Sequence, residues 1–96
     1  MAQVTTSDGT RLFVADTENN RVLIWNQIPT QSFAPADVVI GQPAMDTSAS
    51  GVSAQRLFEP QGIALQNGSL WISDTRNNRV LRFDPPFATN AAATRP

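Results

Sequence analysis

Short apolar runs separated by turn residues recur along the whole chain. The runs at 2–6, 12–15, 22–25, 37–41, 62–65, 70–73 and 80–83 are rich in β-branched and aromatic side chains, as strands are. Asp8-Gly9 and Asn67-Gly68 each separate two such runs. These dipeptides favour tight hairpin turns, because both central positions accept positive φ. A second turn follows at 17–20 (TENN) and at 75–78 (TRNN), where Asn tolerates the left-handed region better than most residues. The runs do not alternate cleanly. FVA at 13–15, VLIW at 22–25 and VVI at 38–40 are apolar at successive positions, so both faces of the sheet need cover. An antiparallel meander achieves this when copies of the sheet pack face to face, as the four-stranded blades of a β-propeller do. Helical repeats are disfavoured: Gly, Asn or Asp interrupts every ten residues or so, and no stretch holds a 3.6-residue period for three turns.

The pattern is an internal repeat. LFVADTENNRVLIWN at 12–26 recurs as LWISDTRNNRVLRFD at 70–84, with Asp16 aligned on Asp74 at an offset of 58 residues. Leu12, Asp16, Thr17, Asn19, Asn20, Arg21, Val22 and Leu23 are identical to Leu70, Asp74, Thr75, Asn77, Asn78, Arg79, Val80 and Leu81. Most other changes keep the character of the position, as in Phe13 for Trp71 and Trp25 for Phe83.

DTENNRVLIW and DTRNNRVLRF resemble the core signature of the NHL-repeat β-propellers, with its Asp, its Asn pair and an Arg-Val opening the third strand. PADVVIGQP at 35–43 and EPQGIAL at 59–65 resemble the connecting strands of that family. The resemblance implies an all-β fold: one four-stranded antiparallel blade at 1–41, an inter-blade loop at 42–60, most of a second blade at 61–86, and a tail at 87–96. On that template the first blade has strands at 2–6, 11–16, 21–26 and 36–41, and the second at 61–66, 69–74 and 79–84, about seven in all. The second blade lacks its outer strand, which reads as a fragment of a longer propeller. The Ser, Ala, Thr and Gly of 42–60 suggest a surface loop, with room for a turn of helix near 53–58 that tucks Leu57 and Phe58 inward.

Composition narrows the chemistry. The chain has 96 residues, 41% hydrophobic and 16% charged, with a net charge of −1. One small domain, or part of a larger one, is all this length can form. The apolar share is too high for a disordered tail, and no run approaches the ~20 residues that span a bilayer. There is no His, Cys, Lys or Tyr. Imidazole catalysis, thiol nucleophiles, Schiff bases, and His- or thiolate-bound metals are therefore excluded. The balance of seven Arg against eight acids offers no basic face for nucleic acid. The first residues lack the basic and apolar segments of a secretory signal, which leaves the compartment open.

The repeated polar residues Asp16, Asn19, Asn20, Arg21, Asp74, Asn77, Asn78 and Arg79 read as structural. Each Asp is expected to accept turn N–H bonds and to pair with the Arg across the turn. One functional site rarely needs the same residue in every blade. Phe13, Trp25, Trp71 and Phe83 read as filling between blades. Glu18, Arg76 and Arg82 differ between copies and are the candidate binding residues, together with the 42–60 loop. Asp37, Asp46 and Glu59 are scattered carboxylates with no metal-binding spacing. The reading is thus a non-catalytic propeller segment that offers a binding or scaffold surface to a protein or small-molecule ligand, with no catalytic residue, metal or cofactor. Its partners would be other NHL blades or further copies of itself. The alternative is part of a propeller hydrolase, lactonase or lyase, with an oxygen-ligated divalent metal over the central channel.

Overall fold

The computed structural model describes residues 4–31 and 34–94. The strands expected from the sequence correspond to seven strands in two antiparallel sheets. The first sheet holds β1 (Val4–Ser7), β2 (Leu12–Asp16), β3 (Arg21–Trp25) and β4 (Val38–Ile40); the second holds β5 (Pro60–Gln66), β6 (Ser69–Asp74) and β7 (Arg79–Phe83). Each sheet is a meander with neighbours in chain order. The fold is all-β, one four-stranded blade followed by three strands of another, and matches a β-propeller segment. The expected first two residues of the first strand lie outside the described residues.

The two DG-type turns differ. Asn67 and Gly68 both take positive φ, 52° and 82°, and Gln66 stands opposite Ser69. This is the two-residue hairpin expected of Asn-Gly. Between β1 and β2, Ser7 stands opposite Leu12 across four residues, and of the Asp8-Gly9 pair only Gly9 has positive φ. Here the Asp8 carboxylate organises the loop instead, its Oδ1 accepting the N–H groups of Thr10 (2.9 Å) and Arg11 (2.7 Å). A side chain that mimics a backbone turn widens the hairpin.

The register sorts the strand residues onto faces. Phe13, Ala15, Val22, Ile24, Val38 and Ile40 share one face of the first blade, and Leu70, Ile72, Leu81 and Phe83 share one face of the second. These two faces pack on each other and, with Leu57, form the buried core. Repeat equivalence makes the packing head to tail. The first blade's core residues Phe13, Ala15, Val22 and Ile24 align with Trp71, Ser73, Val80 and Arg82 on the outer face of the second. The second blade's core residues Leu70, Ile72, Leu81 and Phe83 align with Leu12, Val14, Leu23 and Trp25 on the outer face of the first. Successive blades of a propeller stack in this sense. Phe13 and Phe83 therefore fill the space between blades, whereas Trp25 and Trp71 lie half-buried on outer faces.

The tail closes two edges. Thr89 Oγ1 accepts the Val39 N–H (3.2 Å) and the Asn90 N–H donates to Val39 O (3.1 Å), which covers the open side of β4. Free edges invite further strands, and a covered one does not. Phe87 stands edge-on to Phe13 with centroids 5.6 Å apart. The Thr94 N–H then reaches Arg82 O (2.7 Å), and Thr94 Oγ1 accepts the Asp84 N–H (3.3 Å). Asp37 makes the equivalent pair in the first blade, with Ile24 O (2.9 Å) and the Asn26 N–H (2.8 Å). Thr94 thus occupies the entry to a fourth strand. Among the described residues no strand follows on that side of β7.

Candidate functional site

The repeated polar residues gather at the corners that join β2 to β3 and β6 to β7. Each corner is a single 3-10 turn, Thr17–Asn19 or Thr75–Asn77, ended by an Asn in the left-handed region: Asn20 at φ 56° and Asn78 at φ 52°. Asn suits that conformation better than other residues with a Cβ. The turn returns the chain so that Asp16 faces Arg21 and Asp74 faces Arg79 across the first pair of each ladder.

Asp16 Oδ2 accepts the Asn19 side-chain amide (3.1 Å) and Arg21 Nε–H (2.8 Å). Asp74 Oδ2 does the same with Asn77 (2.9 Å) and Arg79 (2.8 Å). The carboxylates are buried, Asp16 at 6% exposure and Asp74 at 0%, and neither caps its turn through the side chain. The expectation of turn N–H acceptors is therefore corrected: the Asn and Arg side chains satisfy the acid. The remaining Asp74 oxygen, Oδ1, takes the N–H of Phe58 at 2.7 Å, a residue of the link. Burying a carboxylate without such donors is costly.

The 42–60 link runs over the surface, most of its residues exposed, and is tied down along its length. Asn20 donates from Nδ2 to Ser48 O (2.9 Å), and its Oδ1 accepts the Glu59 N–H (2.8 Å). Arg21 donates to Met45 O. Asn77 donates to Gly51 O (2.7 Å), and Arg79 to Ser53 O and Arg56 O (2.7 and 2.8 Å). Thr17 Oγ1 donates to Pro60 O (2.6 Å). Gln42, fully buried, donates to Asn20 O and Ala49 O (2.9 and 2.8 Å). Leu57 is fully buried in the inter-blade core, while Phe58 is half-buried. Residues 53–58 contain a turn but no helix. Leu57 was expected to turn inward; Gln42 escaped the sequence reading because the link has no counterpart with which to align it.

The candidate binding residues do not form one site. Glu18 is exposed on the first corner. Arg76, at the same position on the second corner, lies over the Phe58 ring at 5.4 Å and pairs with Glu59 at 3.7 Å. Arg82 lies elsewhere, on the outer face of the second blade, over Trp71 at 5.8 Å and paired with Asp84 at 3.1 Å. Asp37 caps the N–H of Asn26. Among the described residues no three acidic groups converge as metal ligands would.

Residues 59–83, which run from the end of the link through β7, match the family model of the NHL repeat. No curated protein and no solved structure matches the chain. The corner of Asp74, Asn77, Asn78 and Arg79 lies inside the matched stretch, so the blade that carries it is similar to an NHL repeat.

Proposed function

We propose that the chain is a non-catalytic β-propeller segment whose blades present a binding or scaffold surface. The observation that carries this reading is the bonding of the repeated carboxylates. In each blade one oxygen of the Asp accepts both an Asn amide and an Arg Nε–H at 2.8–3.1 Å. An acid engaged this way fixes a corner; it is a poor general base and a poor open metal ligand. What varies between the copies, Glu18 against Arg76 and Ile24 against Arg82, then distinguishes one blade surface from the other. The partners implied are other NHL blades or further copies of this chain.

The test separates scaffold from enzyme. The purified protein is assayed for hydrolysis of lactones and esters, and its melting temperature is measured with calcium, magnesium or a chelator. The scaffold reading expects no turnover and no metal-dependent shift. Hydrolysis that Asp16→Asn or Asp74→Asn abolishes while the fold persists would establish the propeller hydrolase instead.

A further inference from the structure

We propose that the outer face of the second blade docks the outer face of the first blade of a second copy of this chain. The proposal rests on the reading of the chain as a propeller segment, and its template is the interface between the chain's own two blades.

That interface joins two unlike faces, and the chain repeats the residue pattern of each on an outer face. Trp71, Ser73, Val80 and Arg82 repeat the face that the first blade turns inward; Leu12, Val14, Leu23 and Trp25 repeat the face that the second blade turns inward. The difference in burial is large. Val22 is fully buried, but its equivalent Val80 is 50% exposed. A shallow depression of about 280 Å³ runs beside it, lined by Gly62, Ile63, Ala64, Trp71, Ser73 and Val80. Gly62 and Ala64 leave room there for an aliphatic side chain from a facing sheet. The face carries one charge, on Arg82, which lies over the Trp71 ring at 5.8 Å and is paired with Asp84. An Arg stacked and paired in this way can be covered at modest cost.

Polar groups repeat the argument independently. In the first blade, Asn20 and Thr17 reach forward to the chain that enters the next blade, through Ser48 O, the Glu59 N–H and Pro60 O. In the second blade the same residues make no such bonds among the described residues. Asn78 is exposed, and its side chain has no hydrogen-bond partner among the described residues. Thr75 Oγ1 finds only Ser73 O in its own strand, at 3.4 Å. The second corner therefore offers the donors and the acceptor that an incoming blade satisfies in the first. The occupant is a second copy because the complementary apolar face lies on this same chain. Contacts between unlike faces are heterologous, so they close into rings or run on as filaments.

Sedimentation of the 96-residue chain over a range of concentrations tests this with two face variants. Val80→Asp disables one face and Leu23→Asp the other. The wild type is expected to associate with rising concentration, and each variant alone to remain monomeric. An equimolar mixture of the two is expected to form dimers and nothing larger, because one working face of each kind remains. Asn78→Gly keeps a residue suited to positive φ but removes the carboxamide, and is expected to weaken association about tenfold. Val52→Asp, on the exposed link, should associate as the wild type does. Circular dichroism confirms that each variant is folded. A wild type that is monomeric throughout, association that survives both face variants, or a mixture that fails to dimerise would overturn the proposal. None of these results bears on the absence of turnover, which the scaffold reading stands or falls on.

Discussion

Asn20 and Asn78 occupy the same turn with the same backbone, φ 56° and 52°, yet they hold different numbers of neighbours. Asn20 bonds to two atoms of the link and Asn78 to none among the described residues. Substitution by Gly separates conformation from bonding, since Gly adopts positive φ freely. Asn20→Gly is expected to destabilise the monomer by about 1–2 kcal/mol through its two lost bonds. Asn78→Gly should change monomer stability by less than about 0.5 kcal/mol. Urea denaturation midpoints of both variants check this, and equal losses would contradict it. The half-buried acid Asp84 gives a pH-dependent companion. A hydrogen bond from Ser69 Oγ (2.6 Å), more than the nearby Arg82, holds its pKa below the ordinary carboxylate value. A lowered folded pKa contributes stability that is present above the unfolded value and is lost as pH falls through the folded one. Ser69→Ala should therefore move the Asp84 titration, followed by NMR, upward toward the ordinary value. An unmoved titration would show that Ser69 is not the cause. The members of the corner were legible in the sequence because they recur in one frame. Their partners were not, because Phe58, Ser48 and Glu59 are outside the repeated stretch and come near only through folding.

The strands were equally legible: short β-branched runs with turn dipeptides between them leave little freedom in a meander. The connections were less so. Asp8-Gly9 and Asn67-Gly68 look alike as dipeptides, but the Asp8 side chain finds two backbone donors and builds a wider loop. The link and the tail carry no period, so their burial depends on tertiary contacts that local pattern does not encode. Leu57, expected inward from its place in the link, shows how closely such a contact packs. It is fully buried, and it also crowds Gly41, where a Cβ would stand 2.6 Å from Leu57 Cδ1. Leu57→Ala is expected to cost about 2–5 kcal/mol, as a truncated core leucine does. Gly41→Ala should be destabilising as well, since Gly41 has φ 94° and the added methyl has no room. Thermal melts of the two variants provide the check. A Leu57→Ala protein as stable as the wild type would mean that the link is not part of the core.

At the scale of the molecule, two like sheets are held face to face by an apolar core and by polar corners that grip the chain between them. Head-to-tail stacking follows from the residue pattern. Strands β2, β3, β6 and β7 carry apolar side chains on both faces, so a blade covered on one side is left with another to cover. The sequence pattern therefore revealed the architecture, while the inter-blade ties needed coordinates. The central claim is that the corner acid Asp74 binds the link to the second blade. Native-state hydrogen exchange measures this directly, because an amide exchanges only when its bond opens. The Phe58 N–H, bonded to Asp74 Oδ1 at 2.7 Å, should exchange within about tenfold of the slow amides of β6. In Asp74→Ala, its protection should fall by at least about tenfold relative to β6. Exchange of the Phe58 amide at the rate of an open loop in the unaltered protein would contradict the account.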